Sequence, residues 1–327
     1  MERAARRVLD ADLDLAESWA LVAERPAAPG SPPDLAGYLR AWWRHFAAED
    51  AQLMWMPADH LTCEVFFQFA AAADEPPDAV FHTLFNAMLR ATPAPPREPW
   101  VLSLVPPAAG LDPALTALGF RLTSVFAYRP RDATPPTFPT PPGFHIRPAV
   151  RQDTPALVDL YADLCAYHVR NDPYADRIPP RLREEFGYVV RSVLAEPRRW
   201  VLLVVCADSD PATPRAFSMA SLDTEDAAPA QITQLPPGTV GFIHDFMIAE
   251  ALRGQGLGRA LWAATLDALT ARAPAAPPRG LHGTWLIYRP TNPTGARFWP
   301  ALGYTPLYLM WRRGGWTRDE GSVVGGQ

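Results

Sequence analysis

The sequence contains no lysine: its 30 basic residues are all arginines, against 35 acidic residues, and the net charge is −5. The absence of lysine excludes Schiff-base catalysis and the phosphate-binding lysine of P-loop proteins. The arginines form no dense basic stripe, so the sequence does not favour a nucleic-acid partner.

Cysteine is scarce, and the usual metal-binding spacings are absent. The three cysteines, Cys63, Cys165 and Cys206, lie far apart, and neither they nor the seven histidines form a CxxC, HxxxH or HExxH pattern. We therefore expect neither a disulfide framework nor a metal site.

Long apolar runs are also missing. The longest, residues 201–207, has the length of a strand, whereas a membrane-spanning helix needs roughly 18 residues. The N-terminal segment is charged and lacks the apolar stretch of a signal peptide. The sequence therefore predicts a soluble, cytoplasmic protein that does not contact a membrane.

Proline, in contrast, is abundant, with 38 residues, and six prolines fall within the segment 129–143. Such a segment is extended and semi-rigid, and it divides the chain into two domain-sized parts. We predict an N-terminal domain at residues 1–130, a proline-rich linker at 131–142 and a C-terminal domain at 143–327.

The C-terminal part has the alternating pattern of a mixed α+β domain. A helix is predicted to begin at Asp153-Thr154-Pro155, because proline suits the first helical position. A second helix follows from the helical spacing of Phe186, Val189, Val190 and Val193. The other predicted elements are strands at 144–147, 200–207, 216–223, 239–248, 283–288 and 305–312, and helices at 256–272 and 293–302.

The N-terminal part predicts helices near 10–24, 33–48 and 77–90, and strands at 52–56, 63–69, 100–105 and 121–128. It ends like the C-terminal part, since Ala117-Leu118-Gly119-Phe120 matches Ala301-Leu302-Gly303-Tyr304. Trp100 and Trp285 precede these two glycines by 19 and 18 residues. Duplication of one domain explains the repetition, with chance as the alternative.

A glycine-rich turn, Arg253-Gly254-Gln255-Gly256-Leu257-Gly258-Arg259, follows the strand at 239–248 and opens a helix. A helix N-terminus offers unpaired N–H groups and a positive dipole end, and small residues let a phosphate approach them. The turn therefore predicts a pyrophosphate site, with a ligand-free turn as the alternative. The dinucleotide fingerprint is excluded because residue 259 is arginine.

These residues resemble a known family. Arg253-x-x-Gly256-x-Gly258 resembles the coenzyme A motif of the GNAT superfamily of N-acetyltransferases. Ile146-Arg147-Pro148-Ala149 resembles the usual first strand of that family, and Asn292, Ala296, Phe298 and Gly303-Tyr304 resemble its C-terminal pattern. The resemblance covers about residues 143–314 and implies a GNAT fold. With the repetition, it implies two tandem GNAT-like domains, of which the N-terminal one is degenerate.

The resemblance implies an acetyl-coenzyme-A-dependent enzyme that acetylates a primary amine of a small molecule or peptide, without a metal. The residues 253–259 would bind the pyrophosphate. The backbone of Phe246, Met247 and Ile248 would pair with the pantetheine arm and polarise the thioester carbonyl. Asn292 would contact the coenzyme, cap the helix at Pro293, or both.

The catalytic residues are less clear from the resemblance. Many relatives have an acidic tyrosine where this sequence has Trp299, and some have a glutamate where it has Ile287. His244 and Asp245 are the candidate bases; neighbouring strand residues face opposite sides, so we expect only one of them to face the acceptor. Tyr288 and Tyr308 are alternative acids, for which core packing is the competing interpretation.

The acceptor is expected near residues 167–178, where Asp172 and Tyr174 would hold a cation; a solvated loop is the alternative. The segment 71–77 is acidic and contains proline, so the N-terminal copy is predicted not to bind coenzyme A. Three alternative functions stay open: a catalytically silent acyl-coenzyme-A-binding protein, a tandem acetyltransferase resembling mycothiol synthases, and a partner-binding tandem domain. Assembly as a homodimer is also left open.

Overall fold

The computed structural model describes residues 4–8, 18–25, 34–45, 59–66, 77–91, 100–105, 110–131, 137–171, 178, 180–223, 238–273 and 280–313. It has the mixed α+β architecture that the sequence predicts. The chain divides into two compact units, one of Met1–Val125 with Pro306–Gln327 and one of Phe126–Thr305. No helix in the described ranges is both long and apolar enough to span a membrane.

In the described residues, the first unit consists of a sheet and two helices. Strands β1 to β4 pair antiparallel in chain order, and β5 then pairs parallel with β4. The bounds are β1 Ala4–Val8, β2 Ser18–Arg25, β3 Asp34–His45, β4 Asp59–Phe66, α1 Pro77–Ala91, β5 Trp100–Val105, α2 Asp112–Ala117 and β6 Arg121–Pro130.

The two helices predicted near residues 10–24 and 33–48 are wrong where the structure describes them, because β2 and β3 occupy residues 18–25 and 34–45. Their alanines, leucines and arginines favour a helix locally, but the cross-strand pairing from Ser18 with Trp42 to Arg25 with Asp34 overrides this weak preference. The strand predicted at 52–56 and the acidic segment 71–76 lie outside the described residues.

The second unit contains the rest of the predicted α+β pattern, and all of its predicted helices and strands are confirmed within a few residues. A hairpin of β8 and β9 leads to β10, which pairs antiparallel with β9 and parallel with β11. The bounds of its elements are β7 Phe144–Pro148, α3 Thr154–Asn171, α4 Leu182–Ala195, β8 Trp200–Ala207, β9 Asp210–Asp223, β10 Thr239–Ile248, α5 Leu257–Arg272, β11 Leu281–Tyr288 and α6 Pro293–Ala301; the last strand of the described residues is β12, Thr305–Arg313.

Strand β9 is longer than predicted. It begins at Asp210 rather than Ala216, so the proline-bearing segment that was expected to separate two strands is itself largely strand. The pairing of β8 with β9 shifts register on both sides of Cys206, which pairs with Pro214. Such irregular positions tolerate a proline, which cannot donate a ladder hydrogen bond.

The last strand belongs to the first unit. Strand β12 pairs antiparallel with β5, with Leu309 opposite Val105 and Arg313 opposite Trp100. The second half of β6 belongs in turn to the second unit, where the Tyr128 hydroxyl donates to the His282 carbonyl at 3.0 Å. This division differs from the predicted domains 1–130 and 143–327, since each unit includes a strand from the other half of the sequence.

The order of elements repeats along the chain. The run β2-β3-β4-α1-β5-α2-β6 has the same order as β8-β9-β10-α5-β11-α6-β12. Each run contains two antiparallel pairings followed by a parallel one, in which Trp100 pairs with Leu61 and Trp285 with Phe242. The repetition supports a duplication, which stays a prediction.

Helices cover both faces of the sheet in the second unit. Helices α3 and α4 bury Leu157, Phe186 and Val190 against side chains of β8, β9 and β10, including Phe217 and Met247. Val189, which was predicted to share this buried side, is instead 37% exposed. Helix α5 packs against β8, β9 and β10 and buries Leu261, Trp262, Thr265 and Leu269.

The Arg147 of the predicted first strand has a structural role. Its guanidinium donates to both carboxylate oxygens of Asp153 at 2.7 and 2.8 Å, and the Val150 N–H donates to the same carboxylate at 2.8 Å. Burial disfavours the charged form of Asp153, but these hydrogen bonds outweigh burial and hold its pKa below the usual value. This ion pair therefore ties β7 to the start of α3.

We predict that Asp153→Asn lowers the free energy of unfolding at pH 7 by about 2–4 kcal/mol, because it leaves Arg147 without its buried partner. The depressed pKa makes this stabilisation present above about pH 4 and lost as the pH falls through the lower folded-state pKa. Urea denaturation at several pH values measures both effects. Asp159→Asn, which breaks the exposed pair with Arg183, should change stability by less than about 1 kcal/mol. Equal effects of the two variants would contradict the prediction.

Candidate functional site

Strand β10 loses its partner on one side halfway along. Its parallel pairing with β11 ends at Ile243 opposite Leu286, whereas its pairing with β9 continues to Ile248. The β9 register shifts between Ile243 and Asp245, which leaves His244 as an extra residue in a β-bulge. Strands β10 and β11 therefore part beyond the bulge, and residues 245–248 present an open edge.

The backbone groups at this edge have a defined direction. The N–H of Ala249, just past β10, donates to the carbonyl of Arg215 in β9. Neighbouring strand residues point their N–H groups to opposite edges, so those of Phe246 and Ile248 point to the open edge. The Ile248 carbonyl points the same way and accepts a hydrogen bond from Arg253 Nε at 3.2 Å. Two N–H groups are thus directed away from β9.

The glycine turn after β10 is built from left-handed residues. Gly254 and Gly256 have φ angles of +80° and +85°, which side-chain-bearing residues rarely adopt. Gly256 is the N-cap of α5, and it has no side chain that could accept a hydrogen bond from an N–H group of the helix. The first turn of α5 contains no acidic residue. The first N–H groups of α5, at Leu257 and Gly258, have no partner within the helix. The arrangement is that of an anion site at a helix N-terminus.

A cavity of about 430 Å³ joins the open edge of β10 to this turn. Two predicted coenzyme-binding residues, Gln255 and Leu257, are not in its wall: Gln255 is exposed and Leu257 is buried. The other nine predicted residues line the cavity: Phe246, Met247, Ile248, Arg253, Gly254, Gly256, Gly258, Arg259 and Asn292.

The remaining wall was not predicted. It comes chiefly from the C-terminal end of α3 and from α6, elements that the chain brings together only in the folded state. These residues are Leu164, Tyr167, Leu252, Thr294, Gly295, Phe298 and Trp299. Within this set, Tyr167 is important because it places a phenol in the wall, a group whose position in space no sequence spacing indicates.

Tyr167 connects three sides of the cavity. Its hydroxyl lies 3.3 Å from Thr294 Oγ1, and the Arg253 guanidinium lies 4.4 Å from the centre of its ring. Tyr167 belongs to the last turns of α3, which continues to Asn171, and not to the loop in which it was predicted. Asn292 Oδ1 accepts from the N–H groups of Thr294 and Gly295, both at 3.0 Å. The predicted capping role of Asn292 is thus confirmed.

Trp299 and the tyrosines that could act as the acid lie in different places relative to the cavity. Trp299 is buried and packs edge-on against Phe246, with ring centres 5.2 Å apart. The Tyr304 hydroxyl is held by Thr284 Oγ1 at 2.6 Å and by Trp262 Nε1 at 3.2 Å, away from the cavity. Tyr308 belongs to the first unit, and Tyr288, like the candidate bases His244 and Asp245, is not among the described residues that line the cavity. Tyr167 is the tyrosine in the cavity wall.

His244 and Asp245 both lie on the sheet face covered by α3 and α4, so the expectation that only one of them faces that side is wrong. The bulge causes this, because it interrupts the alternation of side chains along β10. His244 contacts Trp200 and Phe242, with ring centres 4.7 and 3.9 Å away. Burial raises the pKa of the Tyr161 hydroxyl on α3, and the nearby Asp245 raises it further.

Burial shifts the pKa values of Asp245 and His244 in opposite directions. Removal from water raises the pKa of Asp245 to about 7. Burial, followed by the charge of Arg199, lowers the pKa of His244 to about 4. The titratable groups facing Asp245 from α3 are Tyr161 and Cys165, and the proximity of Asp245 contributes to raising the pKa of both. At neutral pH His244 is thus neutral, while Asp245 changes charge.

Residues 166–304 match the family model of the acetyltransferase (GNAT) family. This region is therefore similar to a GNAT domain. A GCN5-related N-acetyltransferase from Sphaerobacter thermophilus has a similar fold, with a TM-score of 0.52 at 16% identity over 93% of this chain and 82% of that one. Among curated proteins, none matches this chain significantly.

Two further solved structures match with lower scores. A tandem GNAT protein from the clavulanic acid biosynthesis pathway covers 90% of this chain and 82% of its own, at 14% identity and a TM-score of 0.43. A GCN5-related N-acetyltransferase from Kribbella flavida covers 85% and 87%, at 16% identity and a TM-score of 0.37. At these scores neither carries an argument about function.

Two other predictions concern the acceptor-binding residues and a metal site. Asp172 and Tyr174, the predicted acceptor-binding residues, lie outside the described residues. Within the described ranges, no group of three or more His, Cys, Asp or Glu side chains is placed to hold a metal ion.

We predict that Asp245→Asn stabilises the protein at pH 8 by up to about 4 kcal/mol and has little effect near pH 4. The folded state keeps the Asp245 proton up to about pH 7, whereas the unfolded chain releases it near pH 4. The stability of the wild type therefore falls as the pH rises between these values, and the variant escapes that loss. Urea denaturation at pH 4 and 8 measures the difference. Asp267→Asn, on the exposed side of α5, serves as the control; a wild type as stable as Asp245→Asn at pH 8 would refute the prediction.

Proposed function

We propose that this protein transfers the acetyl group of acetyl-coenzyme A to a primary amine of a small molecule or peptide. The observation that carries the proposal is the cavity that joins the open edge of β10 to the N-terminus of α5. An extended thioester with a charged pyrophosphate needs both features at once: strand-like hydrogen bonds along its arm and N–H groups around its phosphates.

The glycine turn would hold the pyrophosphate. The N–H groups of Leu257 and Gly258 point out of the helix start, and Gly254 and Gly256 leave the approach free of side chains. Arg259, in the wall of the cavity, adds a positive charge. The residues predicted to bind the pyrophosphate thus lie together at the N-terminus of α5.

The open edge would hold the pantetheine arm and the thioester. The N–H groups of Phe246 and Ile248 are directed to that edge, so one of them can donate to the arm and the other to the thioester oxygen. Such a donor stabilises the negative charge that develops on this oxygen as the amine attacks. Asn292 has its Oδ1 engaged in the cap of α6, so we assign any contact with the coenzyme to its Nδ2.

Asp245 would act as the base. The amine nitrogen forms a bond to the thioester carbon, Asp245 receives the proton that the amine loses, and the carbon–sulfur bond breaks. A base with a pKa near 7 is matched to this task at neutral pH. Tyr167 would donate its phenolic proton to the leaving sulfur, in place of the tyrosine that many relatives have where this chain has Trp299.

Trp299 favours a second candidate function, that of a catalytically silent acyl-coenzyme-A-binding protein. Its indole lines the cavity and cannot donate a proton as a phenol does. Both functions require binding of the coenzyme, so only turnover separates them. Acetylation of any member of a panel of amines by the purified protein would exclude the silent alternative.

Calorimetric titration of acetyl-coenzyme A tests the binding site. We expect about one site per chain in the wild type and a 10- to 1000-fold loss of affinity, roughly, in Gly254→Glu, because the added carboxylate repels the pyrophosphate. Gly143→Glu is the matched control. Gly143 has a φ of +82°, close to the +80° of Gly254, and neither position has an atom within 4 Å of an added Cβ. Both variants thus carry the same backbone strain. A wild type that does not bind would overturn the proposal.

The dependence of turnover on pH tests the base. With an amine that does not itself titrate above about pH 5, we expect kcat/KM of the wild type to rise with pH through about 7, as Asp245 loses its proton. Asp245→Asn should lower kcat by about 100- to 10,000-fold and flatten this rise. The Asp267→Asn control should keep both. A variant with an unchanged profile would remove Asp245 from the mechanism while leaving the binding proposal intact.

A further inference from the structure

A chain of hydrogen bonds leads away from His244 into β9. His244 Nε2 lies 2.9 Å from Ser221 Oγ, and Ser221 Oγ lies 3.2 Å from Asp223 Oδ1. Ser221 and Asp223 are 1% and 6% exposed, two residues apart on the same face of β9. None of the coenzyme contacts proposed above uses Ser221 or Asp223, and packing alone does not require a buried hydroxyl and a buried carboxyl side by side.

The protons available along these hydrogen bonds determine which imidazole nitrogen of His244 is protonated. A carboxylate only accepts hydrogen bonds, so the single hydroxyl proton of Ser221 goes to Asp223. Ser221 Oγ then has only lone pairs left for His244, and the short contact requires a proton on His244 Nε2. A neutral imidazole carries one ring proton. The other nitrogen, Nδ1, must therefore be unprotonated.

The surroundings of the two groups bear on these protonation states. Burial raises the pKa of Asp223 above its usual value, and the hydrogen bond from Ser221, the Trp285 indole and the charge of Arg199 limit this rise by stabilising the carboxylate. Burial, aided by the charge of Arg199, keeps the imidazole of His244 neutral, and Asp245 is its neighbour along β10. Trp200 and Phe242 pack on the ring and restrict its rotation.

We propose that Ser221 and Asp223 are positioning residues that hold His244 as the Nε2–H tautomer, so that Nδ1 accepts a hydrogen bond from the acceptor amine. The proposal rests on the proposed acetyltransfer. A neutral primary amine has two N–H bonds and one lone pair. With one N–H held by Nδ1 and the other proton taken by Asp245 on the same face, the lone pair is directed at the thioester carbon.

The class of acceptor follows from this arrangement. His244 offers a hydrogen-bond acceptor without charge, and Phe242 and Trp285, stacked with ring centres 3.8 Å apart, lie next to it. Ile287, two residues beyond Trp285 on β11, is an apolar side chain that is 41% exposed. The site therefore suits an amine that arrives neutral and carries an apolar or aromatic body, rather than a polycation.

Nitrogen NMR of protein labelled with ¹⁵N-histidine tests the tautomer without coenzyme or turnover. Of the seven histidine signals, the one lost in His244→Gln should show the Nε2–H pattern at pH 7. Ser221→Ala and Asp223→Asn should convert it to a mixture or to the Nδ1–H form, because the fixed acceptor is lost or made ambiguous. Ser218→Ala is the control: it removes a fully buried hydroxyl from the same strand, and this hydroxyl has no partner among the described residues.

Steady-state kinetics with the best amine of the panel test the consequence. Ser221→Ala should raise the KM of the amine about tenfold, a loss of about 1.4 kcal/mol, with kcat changed less than about threefold and the affinity for acetyl-coenzyme A unchanged. Asp223→Asn preserves the shape of the site and should act in the same direction. An Nδ1–H signal in the wild type, or an unchanged signal in both variants, would overturn the proposal. Failure of the coenzyme to bind would overturn the proposed function and leave the tautomer result standing.

Discussion

The loss of one strand pairing is the constraint on which the candidate site depends. Strand β10 is hydrogen-bonded on both sides as far as Ile243 and only to β9 beyond it. A single extra residue, His244, separates the part of β10 that is paired on both sides from the part that is paired only with β9. The same bulge opens the backbone edge at Phe246–Ile248 and turns His244 and Asp245 to one face. The open backbone edge and the placement of two polar side chains beside it thus have one structural origin.

The glycine turn and the strand before it were predicted from the sequence better than the geometry of the surrounding side chains. Glycine at 254 and 256 and arginine at 253 and 259 indicate an anion site, because few other roles need such residues before a helix. The alternation rule, applied to His244 and Asp245, failed because a bulge breaks the period of two and leaves no mark in residue type. Tyr167 could not be singled out, since its importance arises from α3 lying beside α6, which is a tertiary contact.

The fold was predicted most closely where local signals agree with tertiary pairing. Helix α5 begins at a glycine turn, α6 begins at an Asn-Pro cap, and β8 is a continuous apolar run, so their bounds follow from the residues. Strands β2 and β3 lack such punctuation, and their alanine and leucine content favours helix. Strand β9 crosses prolines that normally end a strand. In both cases pairing with distant residues decides the structure, and propensity does not record it.

The placement of β12 in the first unit has a consequence for how the chain is made. A ribosome synthesises residues 1–125 long before residues 306–313, yet the sheet of the first unit includes a strand from the later segment. The edge of β5 that pairs with β12 therefore has no partner strand until residues 306–313 have been made. Pairing along this edge can begin only after the second unit, residues 126–305, has been synthesised.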